Sequence, residues 1–194
     1  MLNLSVTHQT ITALINKYSP SKKATIVDYG CGSGALIPFL NKKKIKKYTG
    51  FEVEEHCIIE AKKNYPEKNT QFKKINLKKL PSLGKKNYVD LIVLIGVLQY
   101  LTDKEINYIF TEAQKVLKKN GVIILSTTTN RWYYKYINIY QFFLPHRFFI
   151  QNQLRNYATK HNLDTVELFE KGLFIAPTFS NVVVFFFDAF DHVV

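Results

Sequence analysis

Ile26-Val27-Asp28-Tyr29-Gly30-Cys31-Gly32-Ser33-Gly34 is the stretch from which the rest of the chain can be placed. A short apolar run ends in an acid, and glycine then occupies alternate positions. The run predicts a strand over Thr25–Tyr29, delivering the chain to a turn. Without a Cβ at Gly30 and Gly32, the backbone of that turn can come within contact distance of a ligand, and Asp28 is expected to face the same crevice. Gly30, Gly32 and Ala35 also satisfy the G-x-G-x-x-G/A spacing of dinucleotide-binding turns, with the acidic Glu52 downstream. Two details point away from a pyrophosphate: Asp28 stands two residues before the first glycine, and Gly34 widens the turn further than a phosphate elbow needs.

Outward from the turn, strand and helix signals alternate. An amphipathic helix over residues 7–17, with Ile11, Leu14 and Ile15 on one side, precedes the first strand. Residues 1–20 are thereby placed as an N-terminal helix able to cover the turn. Ala35–Asn41 is expected to be helical, Tyr48–Val53 a strand, Glu54–Asn64 a helix stopped at Tyr65-Pro66, and Thr70–Ile75 a strand followed by a loop. The nearly all-apolar Val89–Val97 reads as a central parallel strand covered on both faces. Thr102 and Glu105 carry the spacing of a capping box, opening a helix to Lys119 that Asn120-Gly121 would stop. Val122–Thr127 is a fifth strand. After an aromatic stretch over 130–150, Gln151–His161 reads as a helix, Asp164–Glu170 as an alternating edge strand, and Asn181–Phe187 as an apolar strand inserted antiparallel between the fifth and sixth. The expected fold is one α/β domain over 1–194. Its mostly parallel, doubly wound seven-stranded sheet has an antiparallel last strand, helices on both faces and an aromatic cap insertion.

Composition narrows the function classes. At 194 residues the chain can bury a full α/β core. No run of 18 apolar residues is present and the start lacks a signal-peptide pattern, so a cytoplasmic protein with no membrane span is expected. Cys31 and Cys57 supply neither a disulfide framework nor a zinc spacing, so no metal is expected. The formal charge of +12 invites a nucleic-acid partner. Yet only Arg131, Arg147 and Arg155 of the 27 basic residues are arginine, and Lys, Asn, Ile, Tyr and Phe are abundant together. All are encoded by AT-rich codons, so codon bias alone accounts for the excess.

The motifs, taken in order, resemble those of the class I S-adenosylmethionine-dependent methyltransferases, most strongly over the first 125 residues. The resemblance implies that S-adenosylmethionine is the cofactor and that Asp28, Gly30, Cys31 and Gly32 form its first motif. It places Glu52, beside Val53, on the ribose hydroxyls, for which a carboxylate with two oxygens is suited. Asn76 stands where the family usually has an aspartate for the adenine amino group, with the Leu77 amide meeting a ring nitrogen. A neutral acceptor there is weaker than a charged one. Ile95 and Gly96 correspond to the end of the fourth strand, facing the methionine part of the donor.

The Asp/Asn-Pro-Pro-Tyr signature of enzymes acting on planar exocyclic nitrogens is absent, as is the Pro-Cys nucleophile of 5-methylcytosine enzymes. What is left is attack by another oxygen, nitrogen or carbon. His146, in the aromatic insertion, is the first candidate for a general base because imidazole titrates near neutrality. Tyr100 follows as a positioning hydrogen-bond donor, and His8 is third. The insertion at 130–150 falls where this family places its acceptor-side cap. The expected activity is methyl transfer to a small-molecule acceptor, O-methylation of a sugar, lipid precursor or secondary metabolite. The alternatives are an RNA or protein methyltransferase using the basic surface, and a domain that binds S-adenosylmethionine or S-adenosylhomocysteine without turnover.

Overall fold

The computed structural model describes residues 6–18, 23–41, 44–76, 86–128, 147, 149–171 and 180–186. Its elements are α1 (Val6–Tyr18), β1 (Ala24–Tyr29), β2 (Ile45–Glu52), α2 (Glu55–Asn64), β3 (Thr70–Lys74), β4 (Val89–Ile95), α3 (Asp103–Val116), β5 (Leu117–Thr128), α4 (Gln151–Lys160), β6 (Asp164–Lys171) and β7 (Ser180–Phe186). One sheet joins the strands in the order β3-β2-β1-β4-β5-β7-β6. β1 pairs in parallel with β2 and β4, and β7 lies antiparallel between β5 and β6. A continuous apolar strand thus fills an interior slot and the alternating one takes the edge, as expected from their patterns.

Side-chain alternation in the central strands feeds two separate cores. Val27 and Tyr29 of β1, Ile92 and Leu94 of β4, and Ile123 and Leu125 of β5 pack with Ile106, Phe110 and Ala113 of α3 and Leu154 of α4. Ile26, Leu91, Val93, Val122 and Ile124 pack on the other face with Ile11, Leu14 and Ile15 of α1 and Ile58 of α2. A strand turned by one residue would exchange these faces, so the pattern pins the register. The capping box at Thr102 is formed in both directions, with the Thr102 N–H on Glu105 Oε2 at 2.7 Å and the Glu105 N–H on Thr102 Oγ1 at 3.3 Å.

Two expected helices are shorter than their patterns suggest. Ala35–Asn41 contains only a 3₁₀ turn, Ile37–Phe39, because Pro38 lacks an N–H to continue a helix. Helix α3 ends at Val116 rather than Lys119. Leu117 already pairs with Val89, and the next pair is Leu91 with Val122. Asn120, at φ 62°, and Gly121 therefore form an irregularity within β5 rather than a helix stop.

Candidate methyl-donor site

The turn after β1 rises at the carboxyl end of the parallel strands, where open α/β sheets bind ligands. Gly30 and Cys31 both donate their N–H to Phe51 O, at 2.8 and 3.0 Å, which draws the turn against the end of β2. Gly30 has φ +78°, and a Cβ built there would lie 2.4 Å from Val97 Cγ2. Gly32 differs: its φ is +52°, yet a Cβ would meet nothing within 4 Å. The turn thus presents bare backbone to open space at Gly32, a cradle that a side chain would fill.

Glu52 closes one side of this cradle. Its Oε2 accepts the Gly32 N–H at 2.9 Å, and its Oε1 accepts Val53 N–H at 2.7 Å and Glu54 N–H at 3.3 Å. The carboxylate is held at the start of α2, where N–H groups and the helix dipole favour negative charge. One lone-pair position on Oε2 is left by these bonds for a further donor. Asn76 is exposed just past β3, and the preceding Ile75 N–H donates to Glu52 O at 2.8 Å, so the two polar side chains leave neighbouring strand ends.

The other wall is the end of β4. Ile95 is half-buried, and Gly96, at φ +66°, donates its N–H to Ser126 O at 2.9 Å. Gln99 was not singled out from the sequence. It is nearly buried beside Gly96, with its Oε1 accepting from Thr127 Oγ1 at 3.3 Å. The Gln99 carbonyl accepts the Arg147 N–H at 3.0 Å, and the Arg147 guanidinium bonds Leu101 O at 2.7 Å and Asp103. Where the chain returns from the insertion, it is thereby fastened to the start of α3. Tyr100 projects at this end and is 59% exposed.

Asp28 is placed differently from expectation. Its carboxyl is 2% exposed and accepts the Tyr48 hydroxyl at 2.5 Å, on the face packed by α1 and α2. It lies beneath the turn instead of facing the crevice, because residues 26 and 28 share a face of β1. Burial raises its pKa to about 7 despite the Tyr48 bond, and the Glu52 charge adds to the rise. Cys31 is also below the surface: its Sγ would be 2.6 Å from a Cβ at Gly50, and burial pushes its thiol pKa up. A glycine inside the otherwise regular strand β2 was the available signal for that close approach.

The structure brings Gly30, Gly32, Glu52, Val53, Asn76, Ile95, Gly96 and Tyr100 to one end of the sheet. His8 lies on α1, and Leu77, His146 and most of 130–150 lie outside the described residues. Among the described residues no group of three His, Cys, Asp or Glu is arranged to hold a metal, and no helix is long and apolar enough to cross a membrane.

A family model described as a methyltransferase domain matches residues 20–167. The chain is 33% identical over 117 residues to a ribosomal protein L11 methyltransferase from Idiomarina loihiensis, covering 57% of this chain and 39% of that protein. It is 30% identical over 111 residues to O-methyltransferase 3 from Dictyostelium discoideum, covering 54% of this chain and 25% of that one. The chain therefore spans well under half the length of these relatives. The crystal structure of a SAM-dependent methyltransferase from Methanosarcina mazei superposes with a TM-score of 0.75 at 19% identity, over 90% of this chain and 97% of that one.

Proposed function

The chain belongs to the methyltransferase-domain family, and on that premise we propose that it transfers the methyl group of S-adenosylmethionine to a small-molecule acceptor, O-methylating a sugar, lipid precursor or secondary metabolite. The observation that carries this reading is the open cradle at Gly32, with Glu52 on one side and Gly96 on the other. When bound, the donor supplies a methyl carbon already activated by its sulfonium.

The work assigned to the chain is binding and alignment. The backbone of Gly30 to Gly32 and of Ile95 and Gly96 holds the amino-acid end. Glu52, fixed by the Val53 and Glu54 N–H groups, accepts from the ribose hydroxyls, and the Asn76 carbonyl oxygen accepts from the adenine amino group beside Leu77. Asp28 supports the turn from below through Tyr48. Tyr100 would orient the acceptor hydroxyl toward the methyl group of the bound donor. The hydroxyl proton passes to His146, with His8 as the alternative base. In-line alignment contributes up to ~7–11 kcal/mol in ideal geometry.

Charge supports an acceptor without a phosphate backbone. Glu52, Glu54, Glu55, Asp103 and Glu105 follow the carboxyl ends of β2 and β4, and Lys74 there is paired to Glu55 at 2.9 Å. The same acidity suits a second acceptor, a protein amine; the L11 methyltransferase relative is by its name a methyltransferase of a protein. Calorimetric titration with S-adenosylmethionine and S-adenosylhomocysteine tests the core of the reading. The parent chain should bind both, and Gly32→Val and Glu52→Ala should each lose at least tenfold. A parent that binds neither refutes it. Methyl transfer to peptide amines and none to hydroxyl compounds would replace the first acceptor by the second.

A further inference from the structure

The charge of this molecule is distributed by the topology. In a doubly wound fold the helices run against the strands, so helix ends and strand starts share one floor. The last turns of α1, α2, α3 and α4 carry Lys17, Lys62 and Lys63, Lys115, and Lys160. Cations at helix C-termini are stabilised by the dipole, which explains these. It does not explain the lysines that enter the strands.

Lys23 precedes β1, Lys46 and Lys47 open β2, and Lys68 precedes β3; with Asn69 and Tyr88 they line one cavity of about 670 Å³ at the amino end of the sheet. No acidic side chain lines it. These four lysines have no ion-pair partner among the described residues, whereas Lys74, Lys115 and Lys118 are paired to Glu55, Glu112 and Asp90. A second cavity of about 510 Å³, containing Lys62, Lys73 and Tyr65, shares Gln71 with the first and carries the basic track to the exposed edge at β3. Codon bias accounts for many lysines but not for their meeting unpaired in one concavity. Like charges in a shared cavity repel, and an anion relieves that cost.

We infer that this floor is a docking surface for single-stranded RNA, separate from the donor site. An open, lysine-lined depression suits the phosphate backbone of a flexible strand, while Tyr65 and Tyr88 pack inward against the cores, so contact is with the backbone rather than the bases. No exposed large apolar side chain lines either cavity, so a membrane surface would find nothing to insert there. β1 separates the first cavity from the cradle by six residues, roughly 20 Å at ~3.3 Å per residue, whereas the second climbs the β3 edge to Lys73, level with Phe51, so RNA seated in the first leaves the cradle open. The inference does not rest on methyl transfer.

The test is binding of a fluorescent 12-nucleotide oligouridylate by the full chain from 50 to 200 mM salt. Four phosphate contacts predict a log–log slope of about −2.8 and a loss of roughly 50-fold over that range. Lys46→Gln/Lys47→Gln and, outside the strands, Lys23→Gln/Lys68→Gln should each halve the slope to about −1.4. Lys160→Gln, outside both cavities, should leave it unchanged. S-adenosylhomocysteine titration and circular dichroism of the same variants report site and fold separately. An unchanged slope in both folded double variants overturns the inference. So does absence of RNA binding at 50 mM salt, or retention by phosphatidylserine vesicles without RNA binding.

Discussion

Replacing Gly30 by alanine is expected to cost the fold more than the same change at Gly32, although both glycines stand in the same turn. At Gly30 the added Cβ would lie 2.4 Å from Val97 Cγ2, more than 1 Å inside the ~3.5–4.0 Å at which carbon atoms rest. Overpacking of this kind costs roughly 1–3 kcal/mol. The backbone at φ +78° adds about 1–2 kcal/mol for any residue with a Cβ. Gly30→Ala should therefore lose about 2–5 kcal/mol, and at roughly 2–4 °C per kcal/mol its Tm should fall by about 4–20 °C. Val97→Ala removes the clashing methyl, so the double variant should be about 1–3 kcal/mol more stable than the two single changes sum to. Urea unfolding followed by circular dichroism, at constant m, measures the cycle. Gly32→Ala, with nothing within 4 Å of its Cβ, should show only the ~1–2 kcal/mol backbone cost while losing at least tenfold in S-adenosylhomocysteine affinity. Strict additivity in the Gly30 and Val97 cycle would refute the packing reasoning. Undiminished product binding by Gly32→Ala would refute the cradle.

Two further outcomes follow from Asp28, which is buried, and Asp90, which is half-buried. Asp28 has its pKa raised from 3.8 to about 7 by burial, so the folded state holds a proton that the unfolded chain releases. Its contribution to stability is complete below pH 3.8 and is lost as pH rises to about 7; Asp28→Asn should flatten that part of a pH–stability profile, and an unchanged profile would contradict the placement beneath the turn. Asp90 accepts the buried Thr25 N–H at 2.8 Å and pairs with Lys118, so Asp90→Ala should cost about 1–3 kcal/mol in urea unfolding, with Asp90→Asn retaining part of it by still accepting the N–H.

The order of elements was readable because each carries its signal locally. Val89–Ile95 is an apolar run bounded by Gly96, Thr102 and Glu105 have capping-box spacing, and the apolar and alternating patterns of the last two strands separate slot from edge. Pro38 also stood in the sequence, and its missing N–H was a local signal that the apolar pattern of Ala35–Asn41 outweighed. Asn120-Gly121 has the same composition at a helix stop and inside an irregular strand. Pairing of Leu117 with Val89 decided between them, and that contact is distant in sequence.

For the site, the sequence determined the chemistry of the donor end: a strand, a glycine turn with backbone free to approach a ligand, and an acid at the end of the next strand. These are properties of adjacent residues and of residue types with few alternatives. Only the tertiary structure decided which glycine is space and which is packing, since that depends on Val97 facing Gly30 and on nothing facing Gly32. It also moved Asp28 under the turn and fastened Arg147 to Leu101 and Asp103. The same holds for charge. The sequence contains the lysines, but the parallel pairing of the strands is what gathers Lys23, Lys46, Lys47 and Lys68 at the floor, and no linear pattern records which strand starts meet there.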